Sequence, residues 1–105
     1  MNNEFLKQIQ IAANIKILYS QHALTQMLRP ERMIEVSEVK DVVNNGEMIE
    51  DYPEDSRGHS CLMLGSGNNN RPIHIVCAPK ENYLAIITAY PPDPLKLSSN
   101  FRIRV

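Results

Sequence analysis

Four strand-like runs crowd the second half of this chain: EMIEDYP, SCLMLGS, PIHIVCA and YLAIITAY, residues 47–53, 60–66, 72–78 and 83–90. The links between them, EDSRGH, GNNNR and PKEN, are rich in residues that make turns. Links this short join antiparallel neighbours, because a parallel pair needs a crossover of roughly a dozen residues or more. The segment therefore predicts an antiparallel meander. Its last two runs are apolar on both faces: Ile73, Ile75 and Cys77 alternate with Val76 and Ala78, and Leu84 and Ile86 with Ala85, Ile87 and Ala89. That pattern marks central strands.

Ahead of the strands the spacing is helical. Between Asn3 and Ala13, Phe5, Leu6, Ile9, Ala12 and Ala13 recur at the helical period with polar residues between them. IKILY then turns β-branched and aromatic, which suits a short edge strand. Ser20 is placed to cap a helix over QHALTQMLR, with Ala23, Met27, Leu24 and Leu28 as its apolar stripe and Pro30 limiting it. A second short helix fits SEVKDVVNN, with Ser37 as cap, Val39, Val42 and Val43 inward, and Gly46 as a left-handed terminator. Helices first and strands afterwards predict an α+β fold: N-terminal helices packed on one face of an antiparallel sheet of about four strands. At 105 residues, a single domain spans 1–105. The tail LKLSSNFRIRV reads as a short amphipathic end carrying Arg102 and Arg104.

A hydrophobic fraction of 43% and a charged fraction of 22% are those of a globular domain. No run approaches the roughly 20 apolar residues that span a bilayer, so no membrane partner is expected. Lys7, Gln8, Gln10, Asn14 and Lys16 interrupt any targeting signal, and Cys61 and Cys77 read as buried, reduced thiols. The expected location is cytoplasmic.

A net charge of −1 argues against gripping nucleic acid by bulk electrostatics. The distribution is uneven. Residues 1–56 hold five Lys or Arg against ten Asp or Glu, and residues 57–105 hold six against two. A basic face for a phosphate-bearing ligand is one reading of the second half, and a well-solvated mixed surface is the other.

His74, inside RPIHIVCAP, is the residue that most needs a reason. It is either a proton donor on the sheet floor or a core histidine whose ring nitrogens are satisfied by backbone or a Tyr hydroxyl. His22 lies near the start of the second helix, where the positive end favours an anion. His59 reads as a loop residue. No paired-cysteine spacing or helical His pair points to a metal, no glycine-rich loop opens a helix, and no nucleophile elbow surrounds a serine. Cofactor-free proton transfer remains as the enzymatic option. His22 and His74 would be acid and base, Tyr19 or Tyr90 polar donors, and Arg29, Arg32 or Arg71 would hold a phosphate, a set sufficient for RNA cleavage.

YSQHALTQM, VKDVVNNGEMIEDYPED, LMLG, RPIHIVCA, ITAYPPDP and the FRIR tail, in this order, resemble a small bacterial domain family of unassigned function. The resemblance runs from Tyr19 to about Arg104. It implies a compact α+β fold similar to the RelE-like and MqsR-like messenger-RNA-cleaving toxins, often encoded beside a small zinc-ribbon antitoxin. Matched residue by residue it picks out His22, Arg32, Arg71, His74 and Tyr90, with Asp93 closing the last motif. Where the family has Arg four residues after the helix histidine this chain has Gln26, and Arg29 is the guanidinium closest along the helix.

Two functions are therefore expected to compete. One is a toxin-like, metal-independent endoribonuclease of a toxin–antitoxin type pair, with His22, His74 and Tyr90 catalytic and Arg29, Arg32 and Arg71 on the RNA. The other is a non-catalytic protein-binding module or degenerate toxin relative, in which acidic EDYPED serves an interface. The first requires those side chains to converge on one basic face. Arg71 and His74 sit at positions of opposite parity in the run, so regular pairing would point them to opposite faces.

Overall fold

The computed structural model describes residues 3–92. Asp93 and the basic tail with Lys96, Arg102 and Arg104 lie outside the described residues. In chain order the elements are α1 (Asn3–Ile15), β1 (Ile17–Tyr19), α2 (Gln21–Met27), α3 (Val36–Asn45), β2 (Glu47–Tyr52), β3 (Ser60–Ser66), a 3-10 turn (Asn68–Asn70), β4 (Pro72–Pro79) and β5 (Leu84–Tyr90). The fold is α+β, with the helices N-terminal to the meander.

The sheet has five strands in the order β1-β5-β4-β3-β2. The meander β2 to β5 is antiparallel throughout, as its short links require. The strand beyond the expected four is β1, which joins the edge parallel to β5 with Ile17 opposite Leu84 and Tyr19 opposite Ile86. The sheet is thus mixed, not wholly antiparallel. Leu84 N–H donates to Lys16 O at 2.8 Å and Ser20 N–H to Ile86 O at 3.0 Å, extending that ladder at both ends.

Alternation along the strands divides the sheet into two faces. Cys61, Met63, Ile73, Ile75, Cys77, Leu84, Ile86 and Ala89 form one core with Phe5, Ile9 and Ala12 of α1, Ala23 and Met27 of α2, and Val39, Val42 and Val43 of α3. Burying each Val, Leu or Ile contributes roughly 1.5–3 kcal/mol, so this helix-covered face is the main source of stability.

The helix ends have identifiable causes. Ser20 caps α2: its Oγ accepts from Ala23 N–H at 2.9 Å and donates to Ile87 O at 2.9 Å, tying the helix start to β5. Ala23 and Met27 are buried, whereas Leu24 and Leu28 are exposed, so the stripe is narrower than expected. The cap of α3 is Glu35, not Ser37. Glu35 N–H donates to Glu38 Oε1 at 2.9 Å in a capping box, which starts the helix ahead of the serine.

Gly46 is not in the left-handed region; its backbone is extended, at φ −80° and ψ −174°. Close approach is the reason for glycine there. A Cβ would lie 2.5 Å from Leu64 O and 2.6 Å from Val42 O, backbone atoms of β3 and α3 that cannot give way.

Candidate functional site

Cross-strand partners share a face, so the register of the meander places Glu47, Leu64, His74 and Tyr90 in one row on the face away from the helix core. His74 is fully buried there, and its ring meets Tyr90 edge-on with centroids 5.5 Å apart and planes at 75°. The next row is Glu50, Leu62, Val76 and Thr88. Tyr52 Oη donates to Glu50 at the β2 end. Among the described residues these two rows contain no lysine or arginine.

Beside this end of the sheet opens a groove of about 780 Å³, lined in part by Asp41, Asn45, Glu47, Ser66, Asn70 and Pro72. Carboxylates, amides and a hydroxyl suit a cationic or hydrogen-bond-donating group better than a phosphate.

Arg71 immediately precedes β4 and points to the other side of the sheet from His74, as its parity implies. Its Nε and Nη2 donate to Glu38 Oε2 and Oε1 at 3.0 and 2.9 Å, and Nη1 and Nη2 donate to Arg32 O and Met33 O at 2.6 and 3.1 Å. Glu38 is 1% exposed and also accepts from Asn68 N–H at 2.8 Å. A side chain on Gly67 would run into Glu38 Oε2, which is why glycine precedes Asn68. Burial raises the Glu38 carboxyl, but the bonds from Arg71, Glu35 and Asn68 outweigh it and hold the group below its ordinary range. The Arg71 guanidinium, expected to hold a phosphate, here joins β4, α3 and the α2–α3 loop.

The other candidates are dispersed. His22 is exposed in the first turn of α2 with no hydrogen bond or ion pair to a described residue. Its helix packs on β5, and β4, which carries His74, is the next strand over. Arg32 donates to Gln26 Oε1. Arg29 pairs with Glu31 at 3.6 Å on the surface. Tyr19 Oη is buried without a hydrogen-bond partner among the described residues, and burial pushes its hydroxyl up. Of the expected catalytic set, His74 and Tyr90 are brought together; the histidines are not in contact, and the arginines gather around the α2–α3 loop.

Two interactions carry no sequence signature. His59 is no free loop residue: it stacks on Phe5 at 3.6 Å and 11°, and its Nε2 lies 2.5 Å from Asp51 Oδ1. Asp55 accepts from Arg57 and from Ser60 Oγ and is held well below the usual carboxylate range, chiefly by the Arg57 side chain. The Glu38 site, by contrast, is foreshadowed by the Glu35-x-x-Glu38 spacing of a capping box. Among the described residues no three His, Cys, Asp or Glu side chains are grouped to hold a metal ion, and no helix is long and apolar enough to cross a membrane.

An α+β domain with a mixed sheet, one helix-covered face and a histidine row on the other is thus the class defined by fold and site. Residues 19–91 match the family model described as "Domain of unknown function (DUF4258)", and the chain belongs to that family. No curated protein and no solved structure matches the chain. The matched span begins after α1, although Phe5, Ile9 and Ala12 of that helix help to seal the core.

Proposed function

We propose that this chain is a non-catalytic, protein-binding member of a toxin–antitoxin type pair, a relative of RelE-like and MqsR-like toxins in which the RNA-cleaving set is not assembled. The use made of Arg71 carries this reading. A guanidinium that already donates to both oxygens of Glu38 and to two loop carbonyls has one of its five N–H groups left, so it cannot fork a scissile phosphate without giving up one of those contacts. The groove beside the β2 end, lined in part by Asp41, Asn45, Ser66 and Asn70, favours a partner surface that offers hydrogen-bond donors such as Lys and Arg. A zinc-ribbon antitoxin is the partner class that the sequence resemblance suggests. The test is purified protein against a mixed messenger RNA, with His74→Ala alongside: neither is expected to cleave above the buffer blank.

One observation favours the metal-independent endoribonuclease, the edge-on contact of His74 with Tyr90. In that reading His74 and His22 exchange the protons of 2′-hydroxyl attack and leaving-group departure. Tyr90 hydrogen-bonds the reacting phosphate, and Arg29 and Arg32 neutralise its charge. Cleavage that vanishes in both His74→Ala and Tyr90→Phe selects it.

A further inference from the structure

Cys61 and Cys77 are direct partners across the antiparallel β3–β4 pair, and both are fully buried on the helix-covered face. Opposed residues in such a pair have Cα atoms roughly 4.5 or 5.5 Å apart, and disulfides span roughly 4.4–6.8 Å. Directly opposed side chains on one face of such a pair have Cβ atoms roughly 4.5–5.5 Å apart, so the two thiols are neighbours in the core. Both cysteines are free. We propose that Cys61 and Cys77 are a reversible thiol–disulfide site, with low-molecular-weight disulfides as co-reactant, whose oxidised form cross-links β3 to β4.

The exchange balances in two steps. One cysteine gives up its proton and its sulfur attacks oxidised glutathione; the glutathione S–S bond breaks and one glutathione leaves as a thiolate, which takes up a proton. The second cysteine then loses its proton and attacks the first. The protein–glutathione bond breaks, the Cys61–Cys77 bond forms, and the second glutathione leaves. Two protein thiols are oxidised and one glutathione disulfide is reduced to two thiols.

The fold controls the rate and the end point separately. The neighbouring Cys61 thiol and burial both push the Cys77 thiol up, which keeps it protonated and slow while the sheet is closed. Opening has a natural starting point, because the β4–β5 register shifts between Val76 and Cys77. Once the first mixed disulfide forms, the second thiol stands opposite it, so the adduct does not accumulate.

The experiment incubates the folded full chain with oxidised glutathione, quenches with acid and measures intact mass and the peptide map. The expected result is a loss of two hydrogens, a peptide joining Cys61 to Cys77, and reversal by dithiothreitol. Cys61→Ala and Cys77→Ala are each expected to retain one glutathione. A wild-type protein that holds stable glutathione adducts overturns the proposal. So does one that forms only a linked dimer, or stays fully reduced under conditions that oxidise the urea-unfolded chain. The wild-type mass decides the matter even if a variant does not fold.

Discussion

Arg71 Nη2 and Glu38 Oε1 meet at 2.9 Å although the two residues are 33 positions apart, and the carboxylate is 1% exposed. This pair joins the start of β4 to the start of α3 and holds the Arg32–Met33 carbonyls between them.

Arg71→Ala is expected to be strongly destabilising, because it leaves Glu38 buried without its counter-charge. Breaking one side of a buried pair costs about 3–5 kcal/mol, and the 31% exposure of the Arg71 side chain puts this case near the lower end. Arg71→Lys should recover only part of the loss, since an ammonium cannot reproduce the forked contact. Urea unfolding checks both: the midpoint should fall while the slope stays unchanged.

Acid should weaken the fold through the same carboxylate. Glu38 sits below its ordinary 4.5 and Asp55 below its ordinary 3.8. Between the folded and ordinary values the unfolded chain binds more protons than the native one, so stability rises with pH across that interval. The contribution is complete above the ordinary values and is lost as pH falls through the folded ones. Urea midpoints measured from neutral to acid pH should show this decline, and Glu38→Gln should flatten it.

Tyr19→Phe should leave stability at neutral pH unchanged or raise it by up to about 1 kcal/mol, because it removes a buried hydroxyl that has no hydrogen-bond partner among the described residues. Burial raises the Tyr19 hydroxyl above 10.0, so the native state keeps a proton that the unfolded chain gives up. Wild-type stability should therefore fall as pH rises past that value. The alkaline limb of thermal unfolding should be shallower in the variant.

Local patterns were legible in the sequence and distant pairings were not. Period-two alternation and turn-rich links located all four meander strands to within a residue or two, and parity alone separated Arg71 from His74. The pairing of β1 with β5 was hidden, because a three-residue strand has no periodicity and its partner lies at the far end of the chain. Serine commonly caps helices, so Ser37 competes for the role, whereas the Glu35-x-x-Glu38 box is legible as spacing and only its contact with Arg71 of the β3–β4 link is not. The same contact, 33 positions away in sequence, engages Arg71 on the helix side of the sheet. Spacing could nominate His22, His74, Arg71 and Tyr90 together, yet only the register shows that His74 and Tyr90 share a row.

RNA cleavage is the most direct test of the central claim that the nuclease set is not assembled. Purified wild-type protein, freed of contaminating nuclease, is incubated with a mixed messenger RNA beside His74→Ala and a buffer blank, and the fragments are quantified. The account predicts no cleavage above the blank for either protein. Cleavage by the wild type that is lost in His74→Ala would contradict it.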